Sequence, residues 1–201
     1  MAALLNEAPD WDGDKAKYVV LWHGCTDVDR QSIETTGIDL SKSRVNLDFG
    51  RGFYTTTRQR QAEHWAVKCF DRPSVVKQDN GPVTLRFRVE RAKLASLLSL
   101  HFVLANYESE DYWSFVQHCR QSRPSKHGKP AEIHDHRGPV KERGGNWYDL
   151  VYGPVVADWK QRMAFMDVDQ ASFQTIAAVE LLNAMIQSKD KEKYQWQPIK
   201  Q

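Results

Sequence analysis

Cysteine is scarce in this chain of 201 residues, which contains three, Cys25, Cys69 and Cys119. They are odd in number, far apart and outside any C-x-x-C pattern. Such usage does not fit a secreted scaffold held together by disulfides. We therefore expect three reduced thiols in a reducing compartment.

Long apolar runs are missing as well. No stretch approaches the roughly 18 consecutive apolar residues that a membrane-spanning helix needs. The apolar segment at residues 1–5 is too short for the core of a signal peptide, and acidic residues follow it. These absences predict a soluble, cytoplasmic protein with no membrane partner.

A strong charge of either sign is also absent, because 28 Lys and Arg residues are offset by 26 Asp and Glu residues, for a net charge of +2. With a pI near 8.4, electrostatics alone neither indicates nor excludes a nucleic-acid partner. The hydrophobic content of 41% and the length predict a single domain over residues 1–201 with a substantial core.

Helical and strand patterns alternate along the chain. Strict apolar–polar alternation at 83–89 predicts a half-buried strand, and Gly37 is placed to end a helix that begins near Asp27. Short strands interrupted by helices predict the α+β class with an antiparallel-rich sheet. In the first half of the chain we predict a strand at 17–22, a helix at 27–36, a helix after Thr56, a strand at 83–89, and a helix and then a strand within 92–104. In the second half we predict a helix at 109–121, a strand at 147–156 ended by Gly153-Pro154, a turn or short helix at 158–166, a strand at 170–174 and a helix capped by Thr175. After residue 187 we predict a frayed charged tail.

The segment 122–146 differs from the rest of the chain, because it is rich in Pro, Gly, Lys, Arg and His and has almost no apolar residues. We predict a mobile basic loop of about these bounds. Its cluster of His127, His134, Asp135 and His136 has ligand chemistry suited to a metal, but a solvated loop is the preferred interpretation and no metal is predicted. Contact with phosphates stays open as an alternative for its basic residues, Lys126, Lys129, Arg137, Lys141 and Arg143.

Two glycines one residue apart, Gly50 and Gly52, precede an aromatic pair in the segment DFGRGFY at 48–54. Glycine permits positive φ and close approach of a backbone or a ligand, so we predict a tight turn that delivers Tyr54 to a fixed place. Thr56 and Gln59 have capping-box spacing and predict a helix that starts at Thr56. The apolar stripe of this helix comprises Ala62, Trp65, Ala66, Cys69 and Phe70.

These motifs carry a family resemblance. His23-Gly24 at a strand end, the F-G-R-G-F-Y turn at 49–54 and Trp65 eleven residues after Tyr54 resemble the NAD-binding core of ADP-ribosyltransferases of the diphtheria-toxin and poly(ADP-ribose) polymerase branch. The segments 148–158 and 170–175 are similar to those of an uncharacterised bacterial transferase-like family. The resemblance covers about residues 18–186, which we expect to form the domain core.

The resemblance implies a fold of split antiparallel β-sheets with flanking helices and the activity of an NAD-dependent mono-ADP-ribosyltransferase, a glycosyltransferase. Such an enzyme uses NAD as a co-substrate, releases nicotinamide and transfers ADP-ribose to a macromolecular acceptor, either protein or nucleic acid. It also implies a bacterial toxin or defence effector, for which a cognate antitoxin is a partner to test. A chain-building activity is not expected, because Gln170 stands where the resembled branch has a glutamate.

The implied site residues have chemistry that suits nicotinamide, a flat ring with a carboxamide. Gly24 can offer backbone N–H and C=O groups to the carboxamide, and Tyr54 and Trp65 can stack on the ring. His23 can bond a ribose hydroxyl, and Thr56 is assigned to the same cofactor site. The cleaved bond passes through an oxocarbenium-like cation, near which we place Gln170. We thus predict His23, Tyr54 and Gln170 as catalytic, and His23, Gly24, Tyr54, Thr56 and Trp65 as cofactor-binding.

Several alternatives stay open. Tyr54 and Trp65 also fit ordinary core positions, and Gln170 fits an ordinary strand position. A glutamine brings no negative charge to the oxocarbenium-like cation, and four aspartates are alternative sources of that charge, Asp149, Asp158, Asp167 and Asp169. Asp149 and Asp158 also suit structural roles around Gly153-Pro154. At the level of function, the alternatives are a catalytically silent module that binds NAD or ADP-ribose and a cofactor-free nucleic-acid-binding protein.

Overall fold

The structure, a computed structural model, describes residues 17–44, 46–102, 110–121 and 148–199. The predicted basic loop and its histidines lie outside the described residues. The described residues group into two compact units, one of residues 40–53 and 97–179 and one of residues 17–39, 54–96 and 180–199. The secondary structure is of the α+β class, as the sequence predicts.

The helices and strands alternate along the described chain. The strands are β1 (Tyr18–Thr26), β2 (Phe53–Thr55), β3 (Pro82–Glu90), β4 (Ser99–His101), β5 (Leu150–Asp158), β6 (Met163–Phe173) and β7 (Tyr194–Pro198). The helices are α1 (Asp27–Thr36), α2 (Gln59–Phe70), α3 (Arg91–Ala95), α4 (Glu110–Gln121) and α5 (Ile176–Ile186), with a short 3-10 helix at Leu40–Lys42. Among them, no helix is long and apolar enough to cross a membrane.

An antiparallel sheet in the order β1-β3-β7 forms the centre of the unit that contains residues 17–39, 54–96 and 180–199. In its central strand β3, every second side chain is fully or almost fully buried, namely Val83, Leu85, Phe87 and Val89. The predicted alternation of this strand is therefore confirmed, although β3 also buries Thr84 on its other face.

Helix α1 shows how closely local signals set its ends. Thr26 and Asp29 form a capping box at the amino end, in which the Asp29 N–H donates to Thr26 Oγ1 over 3.3 Å. At the carboxyl end Gly37 has φ of 82°, a conformation that favours glycine, and its N–H donates to the Ile33 carbonyl. The predicted helix at 27–36 is confirmed.

The second unit, of residues 40–53 and 97–179, contains β4, β5 and β6 of a sheet with the order β2-β6-β5-β4. The β5–β6 pair is antiparallel and the β4–β5 pair is parallel, so this sheet is mixed. Its core is aromatic and includes Phe49, Phe102, Tyr112 and Phe115, with ring centroids 5.3 to 6.3 Å apart. Gly153 packs closely beside them, since a Cβ there would lie 3.1 Å from both Phe102 Cβ and Phe49 Cζ.

The hairpin of β5 and β6 differs from the prediction. Gly153-Pro154 does not end β5, which continues to Asp158 with an irregularity in register after Pro154. Proline cannot donate to a ladder, and strands tolerate it at such bulges. The predicted turn or short helix at 158–166 is likewise wrong beyond Arg162, because β6 already begins at Met163.

The charged tail after 187 is not frayed throughout. β7 pairs with β3 in antiparallel register, with Trp196 opposite Leu85 and Tyr194 opposite Phe87. The Tyr194 and Phe87 rings lie 5.4 Å apart. These two aromatic contacts anchor a strand that is otherwise polar, so the prediction of a frayed tail is wrong for residues 194–198.

Candidate functional site

An edge of β1 lies beside the segment that carries Tyr54. The Trp22 N–H donates to the Thr56 carbonyl over 2.7 Å, and the Thr56 N–H donates to the Trp22 carbonyl over 2.8 Å. Backbone groups of a strand point to alternate sides from one residue to the next. Gly24, two residues after Trp22, therefore directs its N–H and C=O to this same edge, away from β3.

His23 is tied to the same segment through its side chain. Its Nδ1 lies 2.6 Å from the Tyr54 carbonyl oxygen. Because a carbonyl only accepts, Nδ1 donates and carries the proton, and Nε2 of the neutral ring is an acceptor. Burial lowers the pKa of His23 below its usual value of 6.5, while the bond to Tyr54 and the charge of Asp29 act in the opposite direction. The neutral tautomer is thereby fixed.

Gly24 is needed for the packing of α2 against β1. A Cβ on Gly24 would lie 2.8 Å from the backbone nitrogen of Ala66 and would overlap the carbonyl oxygen of Ala62. Both alanines are buried at this contact. The helix backbone thus approaches the strand more closely than any residue other than glycine would permit.

Thr56 holds the segment between β2 and α2. Its buried hydroxyl donates to Gln61 Oε1 over 2.9 Å and accepts from the Arg58 N–H over 3.0 Å. The helix begins at Gln59, and its N-cap is Arg58, which makes no side-chain capping bond. The capping-box prediction is therefore wrong, because the Thr56 hydroxyl bonds a backbone N–H two residues on and forms a turn before the helix.

Trp65 lies on the flank of α2 and not in the core, with 46% of its surface exposed. Lys68 Nζ and Arg72 Cζ lie 5.5 and 5.7 Å from its ring centroid. Among the described residues, no aromatic ring contacts the indole. The structure thus brings His23, Gly24, Tyr54 and Thr56 together through backbone bonds and helix packing, whereas Trp65 lies against two cations.

Gln170, the third predicted catalytic residue, belongs to the unit of β5 and β6. It is 7% exposed, and its Nε2 donates to Asp48 Oδ2 over 2.8 Å and to the Pro154 carbonyl over 3.0 Å. Both donor positions of its amide thus serve a buried network within this unit.

Asp48 is the centre of that network and was not predicted as a site residue. It is 5% exposed, its Oδ2 also accepts from the Val156 N–H over 3.2 Å, and its Oδ1 pairs with the Arg120 guanidinium. Burial, reinforced by the Asp48 charge, raises the pKa of Cys119 to about 12 and that of Tyr112 well above its usual range. The only sequence signal for Asp48 is its place directly before the glycine turn.

The glycine turn follows Asp48, and its two glycines are favoured for different reasons. Gly50 has φ of 79°, in the left-handed region that favours glycine. A Cβ on Gly52 would lie 3.1 Å from the Phe173 carbonyl oxygen and would overlap Ser172 Oγ. The turn is also held by Ser43, whose hydroxyl donates to the Gly52 carbonyl over 2.7 Å. The predicted tight turn is confirmed.

The aspartates considered as sources of negative charge have other surroundings. Asp149 accepts from the Leu98 N–H over 3.0 Å and from Thr175 Oγ1 over 2.7 Å, and Asp158 accepts from two backbone N–H groups of the turn that follows it. Both therefore have structural roles at the two ends of β5. Asp167 is exposed and Asp169 is buried. Within the described ranges, no group of three or more His, Cys, Asp or Glu residues is placed to hold a metal ion.

Comparison with known proteins relates the chain to a family. A family described as "Protein of unknown function (DUF3990)" matches residues 19–195. No curated protein matches the chain, and no solved structure matches it.

Proposed function

The chain belongs to the DUF3990 family, and we propose that it is an NAD-dependent mono-ADP-ribosyltransferase. In this proposal it binds NAD, releases nicotinamide and transfers ADP-ribose to a macromolecular acceptor. The observation that carries the proposal is the edge of β1, where the Gly24 peptide groups and the Nδ1-anchored His23 lie beside the segment of Tyr54.

The proposed slot for nicotinamide uses these three residues. The carboxamide of nicotinamide has one donor group and one acceptor oxygen, which complement the C=O and N–H of Gly24. The Tyr54 side chain is half-buried and supplies an aromatic face for the ring. Nε2 of His23, as the acceptor of the fixed tautomer, takes a hydrogen bond from a ribose hydroxyl.

The bond that breaks in the proposed reaction joins nicotinamide to ribose. The electron pair leaves with the nicotinamide nitrogen, the ribose carbon becomes cation-like, and a nucleophile of the acceptor attacks that carbon and loses its proton. In such reactions, orientation of both groups in a site with little water lowers the barrier. We assign orientation to His23, Gly24 and Tyr54. We place the reaction in the cytoplasm, because all three cysteines are free thiols.

The test is incubation of the protein with NAD labelled in the adenosine half, together with a cell extract, followed by separate protease and nuclease digestion. We expect label in one acceptor class and release of nicotinamide. His23→Ala and Tyr54→Ala should each reduce nicotinamide release at least about tenfold, since each removes an orienting contact worth more than about 1.4 kcal/mol. His101→Ala, an exposed histidine of β4, is the matched control and should not reduce it. No label in either class and no released nicotinamide would refute the proposal.

A second function is supported by Gln170, whose amide is bound to Asp48 and carries no negative charge. A chain without a carboxylate at this position could bind NAD or ADP-ribose and not turn it over. Calorimetry that detects NAD binding, with NAD recovered intact after long incubation, would select this silent binding module over the transferase.

A further inference from the structure

The outer flank of α2 combines an exposed indole with basic side chains. His64, Trp65 and Lys68 are exposed, and the half-buried Arg72 is the second residue after the helix ends at Phe70. Residues three or four apart share a helix face, so His64 and Lys68 form a row beside Trp65, and Arg72 lies over the same indole ring. His64, Lys68 and Arg72 border a surface depression together with Val67 and Asp71.

The two cations nearest to Trp65 have no carboxylate partner among the described residues. Trp196 is a useful comparison, because it is 44% exposed and has Arg30 over its ring at 4.2 Å. Arg30, however, is neutralised by Asp27, 2.7 Å away, and by Glu34. Lys68 and Arg72 lie over the Trp65 ring without such ion pairs within the described part of the chain, and their charges remain available to an anion.

A partner for this surface must offer flat rings and regularly spaced negative charges. Single-stranded nucleic acid offers both, since its bases are unpaired and can stack on an aromatic side chain while its phosphates contact cations. In a duplex the base faces are covered by their neighbours, so the indole would contribute nothing. An acidic peptide would satisfy the cations but not the exposed ring.

We propose that the outer flank of α2, formed by His64, Trp65, Lys68 and Arg72, binds single-stranded nucleic acid. Trp65 stacks on a base, and Lys68 and Arg72 contact the phosphates on either side of it. Its role as the site that holds the acceptor rests on the proposed transferase function. Binding itself does not depend on that function.

The binding test uses fluorescence anisotropy with labelled oligouridine, labelled oligothymidine and a labelled duplex, all without NAD. We expect both single strands to bind and the duplex to bind more weakly. Trp65→Ala should weaken single-strand binding roughly 5- to 150-fold, and Trp65→Phe should retain most of it. The double variant Lys68→Glu, Arg72→Glu should reduce the slope of log K against log salt by about 1.4, which is twice the value of 0.7 for each phosphate contact on a single strand.

The matched control is Lys189→Glu, Lys191→Glu, because these lysines are exposed and the change in net charge is the same. Equal loss of binding in this control would overturn the proposal, since it would show a general charge effect. Equal binding of duplex, or full binding by Trp65→Ala, would also overturn it. The melting temperature of each variant confirms that it is folded.

The two proposals fail in distinguishable ways. His23→Ala should keep oligonucleotide binding while it loses nicotinamide release. Nicotinamide release without any oligonucleotide binding would overturn only the surface proposal. Transfer of label to a protein, undiminished in Lys68→Glu, Arg72→Glu, would overturn the assignment of the acceptor.

Discussion

Gly24 lies so close to α2 that a Cβ on it would be 2.8 Å from the Ala66 nitrogen and would overlap the Ala62 carbonyl oxygen. The contact joins a strand edge to a helix at backbone distance. The peptide groups that we propose for nicotinamide thus belong to a residue whose lack of a side chain already has a packing reason. Under the proposed function, changes at Gly24 will therefore affect both folding and the binding of nicotinamide.

The first prediction concerns this contact. Gly24→Ala should lower the free energy of unfolding by more than about 2 kcal/mol, because backbone atoms of α2 cannot move aside as a flexible side chain would. Gly81→Ala is the control, since a Cβ there would meet nothing within 4 Å. Chemical denaturation of both variants measures the difference. Equal stability of the two would contradict the close approach.

The second prediction concerns Gln170→Glu, which restores the residue of the resembled branch. The introduced carboxylate would face Asp48, which now accepts a hydrogen bond from the Gln170 amide over 2.8 Å. We expect a loss of about 3 kcal/mol in the free energy of unfolding. Gln170→Met, which removes the donors and adds no charge, should cost about 1 to 2 kcal/mol.

The difference between these two variants should depend on pH. The neighbouring Asp48 raises the folded-state pKa of the introduced carboxyl, so the folded state binds more protons than the unfolded state. The excess destabilisation is then absent at pH below about 4.3, the usual pKa of glutamate, and develops as pH rises above it. A Gln170→Glu protein that is as stable as the parent at pH 7 and more active would refute this account.

The third prediction concerns His23. Burial lowers its pKa in the folded state, so the unfolded state takes up its proton first as pH falls below about 6.5. His23 therefore reduces the stability of the fold progressively below that pH. His23→Asn, whose amide can still donate to the Tyr54 carbonyl, should show a shallower loss of stability between pH 7 and pH 5.

Burial lowers the pKa of His101 and His118 as well, so these histidines also make stability depend on pH. The difference in pH dependence between His23→Asn and the parent protein therefore gives the contribution of His23 alone. Under the proposed function, nicotinamide release should fall at a lower pH than 6.5, where His23 of the folded protein takes up its proton, since a protonated Nε2 cannot accept a hydrogen bond from ribose. Release that stays constant as His23 becomes protonated, as followed by NMR of the ring, would remove His23 from the proposed slot.

The fourth prediction concerns thiol reactivity. Burial raises the pKa of Cys25 well above its usual value, and the pKa of Cys119 is about 12. At pH 8, only about one Cys119 side chain in ten thousand is a reactive thiolate. Alkylation followed by mass spectrometry should label Cys69 first, and should label Cys25 and Cys119 at comparable rates only in denaturant. Rapid labelling of Cys119 in the folded protein would contradict its surroundings.

Elements with local signals could be predicted from the sequence. Helix α1 has its capping residue Thr26 and its terminal Gly37 within the helix or next to it, and its predicted bounds are those observed. Thr175 likewise caps α5, since its Oγ1 accepts from the Ala178 N–H over 3.2 Å. The information for these ends lies within a few residues of chain.

Elements that depend on distant partners could not be predicted in this way. β7 is short and mostly polar, and it is a strand because Leu85 and Phe87 of β3 lie opposite its two aromatic residues. The extension of β5 beyond Gly153-Pro154 similarly depends on its pairing with β6. The residues of β7 and of the end of β5 do not by themselves show that β3 and β6 pair with them.

In the candidate site too, features set by local sequence could be predicted and those set by distant residues could not. The helical period of α2 correctly identified Ala62 and Ala66 as buried, but it does not set the width of the buried arc, and Trp65 lies outside it. The polarity of Gln170 suggested a role at a site, whereas its bond to Asp48 depends on a residue 122 positions away. Periodicity does not report such long-range polar contacts.

The position of β7 in the chain has a consequence for synthesis. β3 pairs with β1 on one side and with β7 on the other, and the ribosome delivers β7 more than 100 residues after β3. During that interval the nascent chain carries an open β3 edge, which is a template for pairing with other chains. Messages cut short before β7 should therefore yield aggregates, and chaperone demand should peak just before translation of these last strand residues.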